Sequence, residues 1–397
     1  MRRLVWFLLL AFAFAIPWEY SLDIGEPFGN IARILGLLLL VAAVPALLLA
    51  GRLRNLGLLQ WLALALFLCF CCSCFWTIDQ QATQVRLRGY FQVMMTVWLV
   101  WEFAETPEDF RDLLRAYVAG SWILAALTIA DLASPGVGQI RFVAEGQDPN
   151  DVARFLVLSF PMTALILDGE STWPGKLFAF GYLPVGLLGV LLTASRSGVL
   201  AALVALAGCA VLMARNHLRA LLAGALSLPA IAAALWFLTP HETLQRIATI
   251  PEQLHHGDLN LRLNIWHAGW QAFVHAPFFG TGAGTFVLAS GLAPEDTAHN
   301  TALALGVEGG IIALTVAAAI VLICARSIIQ TRGPVRIALG AALLVWLVTS
   351  LVATVEENRT SWLLIALISL AARLEVEEPE AMERCFPRAK HASRDLA

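Results

Sequence analysis

The chain has 397 residues, of which 59% are apolar and only 14% charged, with a formal net charge of −3. An ordinary soluble domain carries about 45–50% apolar and about 25% charged residues. So few polar side chains cannot cover a soluble globule of this length. That excludes a soluble enzyme, a nucleic-acid binder and a disordered chain, and leaves an all-α integral membrane protein.

A spanning helix needs about 20 mostly apolar residues, and that pattern recurs almost from end to end. It predicts about twelve spans, at 4–17, 31–50, 57–76, 89–104, 113–132, 152–168, 177–194, 197–214, 219–238, 299–325, 335–354 and 359–373. The domain organisation expected from this is a bundle of about nine spans over 1–238, one long loop over 239–298, further spans over 299–373 and a tail over 374–397. The first span follows Arg2-Arg3 and contains Ala13-Phe14-Ala15, so a cleaved signal peptide is the alternative to an uncleaved helix. The interfacial run Ile16-Pro17-Trp18 favours the uncleaved form.

Lysines and arginines gather in cytoplasmic loops. The short basic connections 51–55, 214–219 and 325–336 fit a cytoplasmic side, with both termini on it. Only Lys176 and Lys390 are lysines among the 26 basic residues. Nine arginines fall on the other, outer side: Arg33, Arg86, Arg88, Arg141, Arg154, Arg196, Arg246, Arg262 and Arg359. Some are expected to snorkel to headgroups. Others are suited to hold an anion, because the guanidinium fork matches phosphate oxygens.

Taken in chain order, the third span carries Cys69, Cys71, Cys72 and Cys74 among phenylalanines, which reads as free apolar cysteines rather than a metal site. Asp148-Pro149-Asn150-Asp151 precedes the sixth span. Thr193-Ala194-Ser195-Arg196-Ser197-Gly198 leaves almost no loop between the seventh and eighth. Arg196 then sits at a helix N-terminus, with Ser195 or Ser197 as the cap and the helix dipole adding to its charge. The 239–298 loop contains a helical stretch from Leu261 to Phe273 that places Arg262, Ile265, Trp266, Gly269, Trp270 and Phe273 on one face. An amphipathic helix with tryptophans suits the membrane interface. Gly280-Thr281-Gly282-Ala283-Gly284 reads either as a tight turn or as backbone brought close to a phosphate. His255-His256 beside Asp258 reads as solvated loop. His299-Asn300 ends the long loop. Nine residues on, Glu308 lies among glycines inside a span, where it either serves function or locks two helices through an arginine. On one regular helix His299 and Glu308 point apart, unless the glycines distort it.

These motifs, in this order over about residues 140–325, resemble those of the bacterial O-antigen ligase and O-antigen polymerase superfamily of polytopic glycosyltransferases. The resemblance implies transfer of a glycan from undecaprenyl diphosphate to an acceptor at the periplasmic face of the inner membrane, with inversion and with no metal or other cofactor. It implies that Arg196 and Arg262 hold the diphosphate and that His299 serves the acceptor hydroxyl as base or orienter. Asn300, Glu308 and Arg88 are the further residues expected at the substrate. The acceptor expected is lipid A–core, as in the ligases; a lipid-linked repeat unit, as in the polymerases, is the alternative. Besides donor and acceptor, membrane lipids are the expected partners, and nucleic acid is not. A lipid-linked-sugar transporter is the rival from another class. Against it, the charges of interest lie at outer helix ends rather than mid-membrane, and no repeat relates the two halves.

Overall fold

A computed structural model describes the chain except residues 26–28, 52, 134–135, 137, 217–230, 256–261, 295 and 388–397, and the side chains of 215–216 and 253–255. The described residues form helices, with no strand among them beyond one isolated bridge between Asp23 and Asn30. In chain order they are α1 (Arg2–Ala15), continued by a 3-10 turn (Ile16–Ser21), α2 (Ile31–Ala50), α3 (Leu58–Cys72), α4 (Gln80–Phe103), α5 (Pro107–Asp131), α6 (Pro149–Gly169), α7 (Trp173–Leu192) and α8 (Arg196–Asn216). After a helical stretch at 231–238 come α9 (His241–Ala248), α10 (Ile250–His255), α11 (Arg262–His275), α12 (Phe286–Ala289), α13 (Thr301–Gln330), α14 (Gly333–Ser350), α15 (Arg359–Glu377) and α16 (Pro379–Cys385).

Nine of the described helices are long and apolar enough to cross a membrane, which makes this a multi-pass membrane protein. The fourth and twelfth expected spans are helices too, but polar ones. Helix α4 begins nine residues before the expected 89 and carries Arg86, Arg88 and Glu102, while α15 carries Arg359, Arg373, Glu375 and Glu377. Most of the ninth expected span, 219–238, and His256 with Asp258 lie outside the described residues.

Helix α6 is the centre of the bundle. Every side chain from Val152 to Ile166 is buried, because α5, α7, α8 and α14 all pack around it. A lipid-facing helix has one free face; a central one has none, so its polar groups must bond inward. Ser159 Oγ accordingly lies 2.6 Å from Ser121 Oγ on α5, and the Tyr182 hydroxyl of α7 donates to the Leu156 carbonyl at 3.0 Å. Gly198 permits the closest approach: a Cβ there would stand 2.4 Å from Ala153 Cβ. That contact holds the start of α8 against the start of α6.

The ends of the bundle differ. At one end Arg2 pairs with Glu105 and Arg54 with Glu377. At the other, the 3-10 turn after α1 brings Glu19 against Arg359, and the 133–148, 239–298 and 351–358 connections meet. The residues singled out by sequence cluster at this second end.

Candidate functional site

Asp148 caps α6, accepting from the backbone of Asn150 at 2.7 Å and of Asp151 at 3.4 Å. That turn aims the Asn150 side chain across at the α7–α8 junction, where its Oδ1 receives Ser195 Oγ at 2.9 Å and an Arg141 guanidinium N–H at 3.3 Å. Ser195 rather than Ser197 caps α8, its Oγ accepting from Gly198 N at 3.2 Å. Arg141 also donates to the Thr193 carbonyl at 3.0 Å. The Asp-Pro-Asn-Asp and Ser-Arg-Ser-Gly motifs are therefore one construction, locked through Asn150.

That construction gathers positive charge. Arg196 Nε donates to the backbone carbonyl of Arg246 at 3.3 Å, which brings α9 onto the N-terminus of α8. Arg141 feels the charges of Arg246, Arg262 and Arg196; burial first, then these three neighbours, holds its pKa below the ordinary arginine value. Arg262 is likewise shifted down by burial, with Asp148 opposing. Four half-buried guanidinium groups thus share one region, against the repulsion between like charges.

Helix α11 presents Arg262 and Trp266 one turn apart. The Trp266 indole N–H donates to the Ala298 carbonyl at 3.1 Å, so the helix that carries Arg262 also fixes the residue before His299. Ile265, Gly269 and Ala272 of α11 are buried with Phe286, Ala304 and Val307. The face expected to lie in the membrane interface thus packs mainly on protein, although Trp270 is exposed.

His299 adopts a left-handed backbone conformation, with φ at 47°, and Ala194, two residues before Arg196, does so too at 48°. These are the two non-glycine residues with positive φ among the described residues. Such strain collects at functional sites because the surrounding structure imposes it. Asn300, the next residue after His299, is held at both ends of its side chain. Its side chain caps α13 by accepting from Leu303 N at 2.9 Å, and it donates to the Leu351 carbonyl at 3.2 Å. His299 Nδ1 lies 3.2 Å from Thr297 Oγ1. Burial, then the Arg262 charge, holds its pKa below the ordinary value, with Asp148 and Asp296 opposing. The imidazole is therefore neutral near pH 7.

Glu308 and His299 open onto the same space. Both line a cavity of about 550 Å³, with Asp148, Asn150, Asp296 and Arg86 also on its wall. His299 reaches it because it precedes α13 in a left-handed turn and is not part of the regular helix that carries Glu308; beyond Glu308, α13 is broken at Gly310, where φ is 65°. The glycine run packs into the break. Thr281 N donates to the Val307 carbonyl at 2.9 Å, Gly282 N to the Glu308 carbonyl at 3.0 Å, and Ile311 N to the Pro277 carbonyl at 2.8 Å. The Glu308 carboxylate is turned toward the backbone around Gly284 and Phe286, before and at the start of α12. Of the two readings of the glycine run, close backbone packing accounts for these N–H groups without a phosphate. A Cβ at Gly280, where φ is 67°, would stand 2.4 Å from the Glu308 carbonyl. Gly280→Ala is therefore expected to destabilise the fold by on the order of 3 kcal/mol or more, seen as a lower melting temperature of the purified protein and a smaller folded yield.

Arg86 is the arginine of α4 that reaches the cavity. It lies 2.7 Å from Glu357, 3.7 Å from Glu356 and 3.9 Å from Glu308. Arg88, the α4 residue expected at the substrate, is exposed and does not line the cavity. Two residues on a helix are about 200° apart, so both cannot face inward. The structure thus brings together His299, Asn300, Arg196, Arg262 and Glu308, leaves Arg88 outside, and adds Arg86, Arg141, Arg246 and Asp148.

The apolar helices define a multi-pass membrane protein, and a basic patch and a histidine gather at one end of its bundle. Residues 182–318 match the family model described as O-antigen ligase, Wzy_C. The segment holds Arg196, Arg262, His299, Asn300 and Glu308, so the resemblance read from the sequence is borne out over the part that carries those motifs. It supports an O-antigen ligase or polymerase type of function and a glycosyltransferase-like enzyme of lipopolysaccharide biosynthesis. No curated protein matches the chain.

Proposed function

We propose that this protein transfers a glycan from undecaprenyl diphosphate to lipid A–core, at the periplasmic face of a bacterial inner membrane and with both termini cytoplasmic. The observation that carries the reading is the adjacency of a four-arginine patch to a neutral histidine. Arg196, Arg262, Arg141 and Arg246 bind the donor diphosphate. An acceptor hydroxyl in the cavity attacks the anomeric carbon of the donor from the face opposite the diphosphate, which inverts that centre. The carbon–oxygen bond to the diphosphate breaks as the new glycosidic bond forms. His299 takes the hydroxyl proton on Nε2, because Nδ1 is turned toward Thr297. The arginines stabilise the charge that grows on the leaving diphosphate, the largest contribution such a site makes. No soluble cofactor enters the scheme, since the donor arrives already activated.

The test is reconstitution. Purified protein supplied with an undecaprenyl-diphosphate glycan and lipid A–core is expected to yield glycan joined to lipid A–core. A ladder of lengthened glycan made without lipid A–core would place the protein among polymerases instead. If neither product forms, and strains carrying His299→Ala and Arg196→Ala still display normal surface polysaccharide, the enzyme reading is wrong.

A further inference from the structure

The cavity beside His299 is lined mainly by acidic residues where it is charged, in contrast to the arginine patch. Asp148, Asp151, Asp296, Glu308 and Glu357 line it, against Arg86 and the neutral His299. The cations close to these carboxylates are few. Arg86 lies 2.7 Å from Glu357, and Arg154 lies 2.8 Å from Asp151. From outside the wall, Arg141 and Arg262 act on Asp148. Glu356, just behind Arg86, is pushed up to about 8 by burial, so it stands there as a neutral acid at pH 7 and adds no charge of its own.

A second observation points to a ligand. Glu308 is buried, and one carboxylate oxygen, Oε2, has no hydrogen-bond partner among the described residues. The other oxygen faces Arg86 at 3.9 Å. A buried acceptor without a donor costs about 1–3 kcal/mol, and more when charged. On the wall of a cavity, that loss is recovered when a hydroxyl or ammonium group enters and donates.

We propose that this cavity is the acceptor subsite and that its carboxylates select the sugar that enters it: a sugar bearing hydroxyl or amino groups and no negative charge. The inference rests on the glycosyltransferase reading above. Carboxylates accept strong, charge-assisted hydrogen bonds from sugar hydroxyls and ammonium groups. They repel a phosphate or a uronate at the same position, which is how a site rejects a near-isostere. Phosphates elsewhere on the acceptor remain outside the cavity, and the donor diphosphate meets the arginines instead. The two lipid-borne substrates are thus sorted by charge before any bond changes.

The experiment pairs acceptor oligosaccharides that differ in one group on the terminal sugar: a hydroxyl, an amino group, or a phosphate. Direct binding to the purified protein and transfer kcat/KM are both measured. The expected result is that the hydroxyl and amino forms bind and react at least about tenfold better than the phosphorylated form. The ratio should shrink at high salt and in Asp296→Asn and Glu357→Gln variants. Asp296→Asn, on a loop, keeps the test readable should a Glu308 variant fail to fold. Equal handling of all three forms, or preference for the phosphorylated one, with transfer intact, overturns the acceptor assignment alone. Absence of transfer with every acceptor overturns the parent reading, and the binding ratios then decide the charge preference by themselves: a tenfold ratio upholds it and a flat one overturns it.

Discussion

Replacement of His299 by asparagine is expected to lower the transfer rate by about 10²–10⁴-fold, the range over which a positioned acid–base group contributes, with little change in folded yield. Asparagine is chosen because the residue at 299 holds φ at 47°, a conformation that asparagine adopts more readily than alanine. His299→Ala adds backbone strain to the loss of the ring, so the difference between the two variants separates chemistry from positioning. A His299→Asn enzyme with near-normal turnover would remove His299 from the reaction.

The pH dependence carries a sign that follows from the neighbours. The neutral imidazole is the base, and burial with the Arg262 charge pulls its pKa below the ordinary value, which is about 6.5. Activity should therefore persist as pH falls through the ordinary histidine range, with the acid limb of kcat/KM below it. Arg262→Gln removes one of the two depressing causes, so the limb should move to higher pH. Asp296→Asn removes a cause that raises the pKa, so the limb should move the other way. Limbs that shift in the opposite directions, or not at all, would show that another group titrates.

Sequence periodicity located the helices that face lipid, because there the apolar run and the helix coincide. The expected 31–50 span is Ile31–Ala50, and 197–214 falls within Arg196–Asn216. It failed where a helix leaves the lipid. Residues 80–88 are polar and read as loop, yet they form the first turns of α4 and carry Arg86 into the cavity. Arg196, Arg262 and His299 stood out because each lies in a recognisable motif. Arg141 and Arg246 had no such mark: one sits in an irregular connection and the other in a short helix of a loop, and only tertiary closure makes them neighbours. The signal that was present is their membership in the outer set of nine arginines, which topology alone did not explain. That His299 and Glu308 line one cavity depends on the left-handed turn that places His299 outside α13, which no residue pattern marks; Gly309-Gly310 is the sequence trace of the helix break just beyond Glu308.

Arg246→Gln is expected to uncouple stability from binding. The Arg246 side chain adds charge to a region where Arg141 and Arg196 already feel it, and its buried Nε has no hydrogen-bond partner among the described residues. Its backbone carbonyl, which receives Arg196 Nε, survives the substitution. Without an anion the guanidinium groups repel, so removing one charge should leave the melting temperature of the ligand-free protein unchanged or raised. With inorganic diphosphate present the order reverses. The wild-type protein should gain stability as the anion binds, since any ligand of the native state stabilises it by mass action. The variant should gain less and should bind diphosphate at least about tenfold more weakly, the loss of one charge-assisted contact. Transfer should fall in parallel, because the same contact strengthens as charge develops on the leaving group. A variant that melts lower without ligand and keeps its full diphosphate response would mean that Arg246 is a structural brace. A variant that keeps both properties of the wild type would take it out of the site.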